Sequence, residues 1–219
     1  RERKGLQPEP EKTVFLTMKV NASSTFDVNQ NIQLTFEEPV ARIDTSAIHV
    51  SVKQDSTWVE TPFLFREDSV QPRQYEILAE WQPDKEYQLK IDSTAIVGVY
   101  GLHTNKVEQT LKVKKLDEYG TLLLNLPGVE KTYIVELLDN SGKVLRQQAV
   151  TPEGTADFYY LAPNTKYYIR MFNDRNGNKV WDTGVFEKGI QPEEVYYFPK
   201  VWEMKANFEF EEDWDIHEV

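Results

Sequence analysis

Cysteine is absent from all 219 residues, so neither a disulfide framework nor a thiolate zinc site can form, and an oxidising or a reducing compartment suits the chain equally. Histidine is almost absent too: His49, His103 and His217 are scattered, with no partner at metal-ligand spacing. Positive charge is in deficit, 25 Lys and Arg against 36 Asp and Glu. The resulting net charge of −11 repels phosphate backbones, which excludes nucleic acid as the expected partner. No run of 18 apolar residues occurs, so no helical membrane span is expected. No Gly-x-Ser-x-Gly occurs either, which leaves serine catalysis without a nucleophile elbow.

What is present is sufficient for burial. Hydrophobic residues make up 40% of the chain, and the length accommodates two sandwich domains of about 100 residues each. The opening, 1–12, is charged, polar and proline-bearing, and reads as an interdomain or post-anchor linker or as a plain terminus. From Val14 to Lys115 short alternating stretches are separated by turn residues. In the clearest, Ile32, Leu34 and Phe36 interleave with Gln33 and Thr35, one face apolar and one wet. Further strands are expected at Ala47–Val52, Gln74–Glu80, Glu86–Ile91 and Val107–Lys114, joined mainly by hairpins, with Gln82–Lys85 as a turn. Asp92–Tyr100 is the one helical candidate in this half, capped by Asp92 or Ser93 and stopped by its glycines. Alternation lapses from Lys114 to Gly120, which sets a domain boundary, and resumes at Leu122, Leu124 and Leu126. The second half carries expected strands at Thr121–Leu126, Thr132–Asp139, Lys143–Val150, Ala156–Tyr160, Tyr167–Asn173, Val195–Phe198 and Val201–Phe208.

The phrases Asn31–Val40 and Asp44–Val50 resemble the opening of surface-layer-type bacterial Ig-like domains, in which such a strand ends in a phrase like F-S-E-P-V; Glu37 stands where Ser is usual. Tyr87–Asp92, continuing to Tyr100-Gly101-Leu102, resembles the later signature of that family. Asp157–Pro163 before Tyr167–Arg170 resembles the strand, L-x-P turn and strand of transthyretin-like or carboxypeptidase-regulatory-like sandwiches, as in Bacteroidetes surface lipoproteins. The resemblance implies an all-β chain of two β-sandwich domains in series, Ig-like over 13–116 and transthyretin-like over 117–219. It also implies an extracytoplasmic location in the periplasm, outer membrane or cell surface, with any membrane attachment made by a lipid anchor outside these residues.

The sharpest local feature runs from Asp174 to Gly184. Side-chain oxygens of Asp174, Asn176, Asn178 and Asp182 fall at relative positions 1, 3, 5 and 9, with the Val180 carbonyl at position 7, the spacing by which a calcium loop presents its ligands. Lys179 holds the sixth position, where the tight turn wants glycine, and Val185 the twelfth, where a bidentate glutamate belongs. The loop reads either as a Ca2+ site or as a turn whose side chains bond its own backbone under Trp181.

Aromatics are the remaining recognition candidates, Trp58, Trp81, Trp181, Trp202 and Trp214 together with Tyr159-Tyr160, Tyr167-Tyr168 and Tyr196-Tyr197, and they read either as a row of exposed ring faces or as cross-strand packing. Strand geometry places one tyrosine of each pair in the core and the other outside. Neighbouring acids such as Glu37-Glu38 and Glu193-Glu194 point to opposite faces and form no catalytic pair alone. The acidic C-terminal stretch is expected to be solvated, although Trp214 and Ile216 need a surface to dock on. The function expected is a non-catalytic structural or ligand-presenting module of a bacterial cell-envelope protein, not an enzyme. A carbohydrate-binding module is the alternative, a hydrolase the more distant one, and an envelope protein or glycan is the partner class.

Overall fold

The computed structural model of the chain describes residues 13–130 and 132–217; the linker expected over 1–12 and the acidic Glu218 lie outside them. The described chain is all-β, with three single 3-10 turns, and forms two compact units divided between Lys114 and Lys115.

The first unit contains β1 (Met18–Val20), β2 (Thr25–Phe26), β3 (Ile32–Phe36), β4 (Val40–Ile43), β5 (Ile48–Gln54), β6 (Thr57–Glu60), β7 (Phe63–Glu67), β8 (Gln74–Ala79), β9 (Glu86–Ile91), β10 (Ile96–Gly98) and β11 (Val107–Val113). One sheet has the order β1-β3-β8-β7, the other β2-β11-β9-β5-β6, and β10 pairs β4 alone. Ile32, Leu34, Phe36 and Ile77 of the first sheet meet Ile48, Val50, Leu89, Ile91, Leu111 and Val113 of the second in one buried cluster, which makes this unit a sandwich. Each such side chain contributes about 1.5–3 kcal/mol by leaving water.

Hairpins are fewer than expected here. Only β5–β6 and β7–β8 pair as sequence neighbours in this unit. The segment Gln82–Lys85 carries the chain from one sheet to the other, because β8 and β9 must each bury a face from opposite sides of the core. Tyr87 fixes that corner: its hydroxyl accepts from the Gln82 N–H at 2.9 Å and donates to the Glu80 carbonyl at 3.0 Å.

The helical candidate Asp92–Tyr100 is not a helix. Ala95 closes a single turn onto Asp92, Thr94 takes a φ of 71°, and Ile96–Gly98 becomes β10. Ile96 is fully buried while Val97 is not, a period of two that a helix cannot satisfy against this core.

The second unit contains β12 (Gly120–Asn125), β13 (Tyr133–Leu138), β14 (Val144–Ala149), β15 (Thr155–Leu161), β16 (Lys166–Asn173), β17 (Val195–Tyr197), β18 (Trp202–Glu203) and β19 (Phe208–Asp213). One sheet has the order β15-β12-β19 and the other β14-β13-β16-β17, with β18 also on β16. Leu122, Leu124, Ala156 and Phe158 face Val135, Leu137, Ile169 and Met171 across a second buried cluster. Asp139 shapes the β13–β14 hairpin by accepting from the N–H groups of Ser141 and Lys143, while Gly142 supplies the φ of 82° the turn requires.

The acidic end is not free in solvent. It forms β19, parallel to β12, with Phe210 packed on the core, Trp214 buried, and the Trp214 N–H donating to the Asn125 carbonyl at 2.8 Å. Glu209, Glu211 and Asp213 alternate to the outside, so an acidic sequence and a paired strand coexist.

Candidate functional site

The loop that follows β16 is organised around two buried acids. Asp174 is 7% exposed and Glu193 is 4% exposed. The Asp174 Oδ1 accepts from the N–H groups of Gly177 at 2.9 Å and Asn178 at 3.1 Å, and its Oδ2 accepts from Lys179 N–H at 3.0 Å. Glu193 closes the loop from its far side, accepting from Arg175 N–H at 2.8 Å and Asp182 N–H at 3.1 Å. Its carbonyl takes the Trp181 indole N–H at 2.9 Å.

The side chains read as calcium ligands are brought together, and their oxygens face donors of the loop itself. Asn176 Oδ1 accepts from Asn178 N–H at 3.0 Å, and Asn178 Oδ1 from Val180 N–H at 2.8 Å. The side-chain amides of Asn176 and Asn178 both donate to Asp182 Oδ2. Lys179 adopts a φ of 60°, the conformation for which a calcium loop uses glycine. A cation at the centre would therefore require both amides to turn their oxygens inward. Glu187, the first glutamate past the twelfth position, lies in the exposed turn Phe186–Lys188. Among the described residues, no group of three His, Cys, Asp or Glu side chains is placed to hold a metal.

Between this loop and the turn that follows lies a cavity of about 500 Å³, lined by Arg175, Asn176, Asp182, Gly184, Ile190 and Glu193 among others. Gly184, at a φ of 81°, lets the two limbs approach: a Cβ there would stand 2.5 Å from the Ile190 carbonyl oxygen.

A polar row crosses the face of the β14-β13-β16-β17 sheet opposite the core. Gln147, Glu136, Arg170 and Tyr197 are successive cross-strand partners. Glu136, 2% exposed, accepts from Gln147 Nε2 at 2.7 Å and from the Arg170 guanidinium. Burial works against the Arg170 charge, but Glu136 and Tyr197 more than offset it and hold its pKa above the ordinary value. Gln147 also donates to the Lys179 carbonyl at 3.0 Å, tying the loop to the sheet.

The tyrosine pairs depart from simple alternation at one place. Tyr167 is buried beside a half-buried Tyr168, as expected, but Tyr159 and Tyr160 are 50% and 37% exposed. Gly120 opposes Leu161 and Leu122 opposes Phe158, so Thr121 alone faces both tyrosines, a β-bulge. Tyr160 takes a φ of 56°, an outlier for a bulky side chain. The Arg146 guanidinium, from the edge strand β14, donates to the carbonyls of Tyr159 and of Tyr160, the latter at 2.9 Å. Tyr196 and Tyr197 divide as expected, Tyr196 half-buried against the core and Tyr197 63% exposed on the opposite face.

No family model and no curated protein matches the sequence. Among solved structures, the chain is similar to a fragment of alpha-2-macroglobulin from Escherichia coli at 13% identity and a TM-score of 0.37, over 84% of this chain and 71% of that one. It is similar to the N-terminal part of the bacterial S-layer protein SbsC at 14% identity and a TM-score of 0.37, over 75% of this chain and 42% of that one. The major pilin subunit of Bacillus cereus gives 10% identity and a TM-score of 0.27, over 90% of this chain and 69% of that one. Likeness at this level assigns no role to any residue.

The sequence reading missed Glu193, Glu136 and Arg146. Glu193 was visible only as half of an acidic pair, and nothing local marks it as the acid that closes a loop begun at Asp174. Glu136 stands at an alternate position of an apolar strand, Ile134 to Leu138, and a charge in such a run is the signal that would have singled it out.

Proposed function

We propose that the chain is a non-catalytic, ligand-presenting module of a bacterial cell-envelope protein. The observation that carries the non-catalytic part is how the buried acids are used. Asp174 and Glu193 accept backbone N–H groups, and Glu136 is held by Arg170 and Gln147. A catalytic acid or base has to face a substrate with a proton to give or take. These three instead stabilise a loop and a sheet. The envelope part of the reading rests on the phrases Asn31–Val40 and Asp44–Val50 and their resemblance to surface-layer-type Ig-like domains.

The test is a turnover screen of the purified chain against chromogenic glycosides, esters and peptides, with surface biotinylation of intact cells that carry the full-length protein. No turnover above buffer and labelling of intact cells are expected. Product release that disappears in Glu136→Gln or Glu193→Gln would overturn the non-catalytic reading, and labelling only after lysis would overturn the surface location.

A further inference from the structure

Among the described residues of the second unit, the bulge at Tyr159 and Tyr160 is the one place where two neighbouring strand residues are both exposed aromatics. Their rings lie 6.4 Å apart at 51°, and Tyr160 is held edge-on against the buried Tyr119 at 5.6 Å. A non-glycine residue at positive φ costs about 1–3 kcal/mol and persists only when its surroundings enforce it. Here the enforcement is visible. Arg146 crosses from the opposite sheet to bind both carbonyls, and Tyr119 supports the second ring.

The surroundings combine hydrogen-bonding groups with apolar surface. A shallow cleft of about 230 Å³ runs between β14 and β15, lined by Arg146, Gln147, Gln148, Asp157, Tyr159 and Tyr160 along with Phe158. Across the outer face of the β15-β12-β19 sheet, Leu123 lies between Asp157 and Glu211, and Thr121 pairs with Glu209. The ring faces therefore stand among carboxylates and amides, and the Arg146 charge is directed at backbone carbonyls.

We propose that the Tyr159–Tyr160 bulge is a saccharide-binding site that takes a ring of a neutral glycan. The aromatic faces stack on the C–H face of a pyranose, while Asp157 and Gln148 bond its hydroxyls. The acids Asp157, Glu209 and Glu211, in a chain of net charge −11, repel sulfated or uronic-acid glycans, so neutrality is part of the assignment. A site that fits one ring in a shallow cleft binds weakly and works by repetition along a polymer or among copies of the chain. This assignment names the ligand class for the ligand-presenting role proposed above and rests on that role.

The test is titration of the whole chain with neutral cello-, xylo-, manno- and malto-oligosaccharides and with a sulfated oligosaccharide, followed by calorimetry and by tyrosine-ring NMR shifts. Binding of at least one neutral series is expected, with Tyr159→Ala weakening it about tenfold, the scale of one lost aromatic contact. Tyr159→Phe should retain most of it. Tyr160→Gly keeps the backbone conformation available and removes the second ring, so it separates loss of binding from loss of fold. Absence of binding to every neutral series, preference for the sulfated probe, or wild-type affinity in both Tyr159→Ala and Tyr160→Gly would each overturn the site. Shortened oligosaccharides in the titration mixture, found by chromatography, would overturn the non-catalytic reading instead.

Discussion

At the scale of single residues, several acids of this chain, Asp44, Asp68, Asp139, Asp174 and Glu193 among them, accept backbone N–H groups, and that has two consequences. The first concerns Asp174, which holds three N–H groups while almost fully buried. Asp174→Ala leaves those donors without partners and should cost about 1–3 kcal/mol or more in urea unfolding. Because the Asn176, Asn178 and Asp182 oxygens already have partners, millimolar calcium and a chelator should both leave the melting temperature of the wild type unchanged. A calcium-dependent rise, abolished in Asp174→Ala and Asp182→Ala, would show instead that the loop rearranges to take the ion. The second consequence is acid sensitivity. Asp44 is held below the ordinary carboxylate range by the Ser46 hydroxyl and then its N–H, Asp68 by the N–H groups of Gln71 and Val70, and Asp139 by the Ser141 hydroxyl and then Lys143 N–H. Glu86 is lowered by Lys53, whose ammonium lies 2.8 Å away. A folded-state pKa below the unfolded value gives stability that is complete above the unfolded pKa and disappears as pH falls through the folded one. The urea midpoint should therefore be flat above about pH 5 and fall from about pH 4 downward. A midpoint that rises on acidification would contradict these bonds.

At the scale of elements, the acidic end is the strand with the clearest consequence. β19 covers one edge of β12, and Trp214 packs edge-on against Phe198 at 4.9 Å, while Phe198 sits 4.8 Å from Trp202. Trp214→Ala should cost about 3 kcal/mol or more, in the range of large aromatic deletions from a core. Truncation after Asn207 should cost more than the substitution and promote aggregation, since β12 would then present an unpaired edge. Chemical unfolding and light scattering check both, and a truncated chain as stable and monodisperse as the whole would show that β19 contributes nothing. β19 was only half legible in sequence, because charge dominated the reading and Phe208, Phe210 and Trp214 needed a partner strand to have meaning. β3 and β9 were legible outright: Ile32, Leu34 and Phe36, and Tyr87, Leu89 and Ile91, bury a face that alternation alone declares. The exposed edge strand β6 was not, since Thr57–Glu60 buries none of its residues and leaves no hydrophobic period. The bulge at Tyr160 left no trace in composition either. It depends on Arg146 and Tyr119, which reach it through folding rather than through neighbouring positions.

At the scale of the whole chain, the division between Lys114 and Lys115 separates two self-contained cores. Each buried cluster draws only on its own side of that division: Leu16 to Val113 in the first, Leu122 to Trp214 in the second. Each core joins two sheets across a sandwich. A chain of about 100 residues buries enough surface to fold alone, whereas a split that left either core incomplete would yield a soluble but molten or an aggregated fragment. Residues 13–114 and 115–217 produced separately should therefore each give dispersed tyrosine and methyl NMR signals and a cooperative thermal transition. The second fragment should also keep the Tyr159–Tyr160 site, because Arg146, Tyr119 and both tyrosines lie within it. If either fragment lacks a cooperative transition, its core depends on the other half and the two sandwiches are one folding unit. If both fold but the second binds no neutral oligosaccharide that the whole chain binds, the saccharide site draws on residues before Lys115.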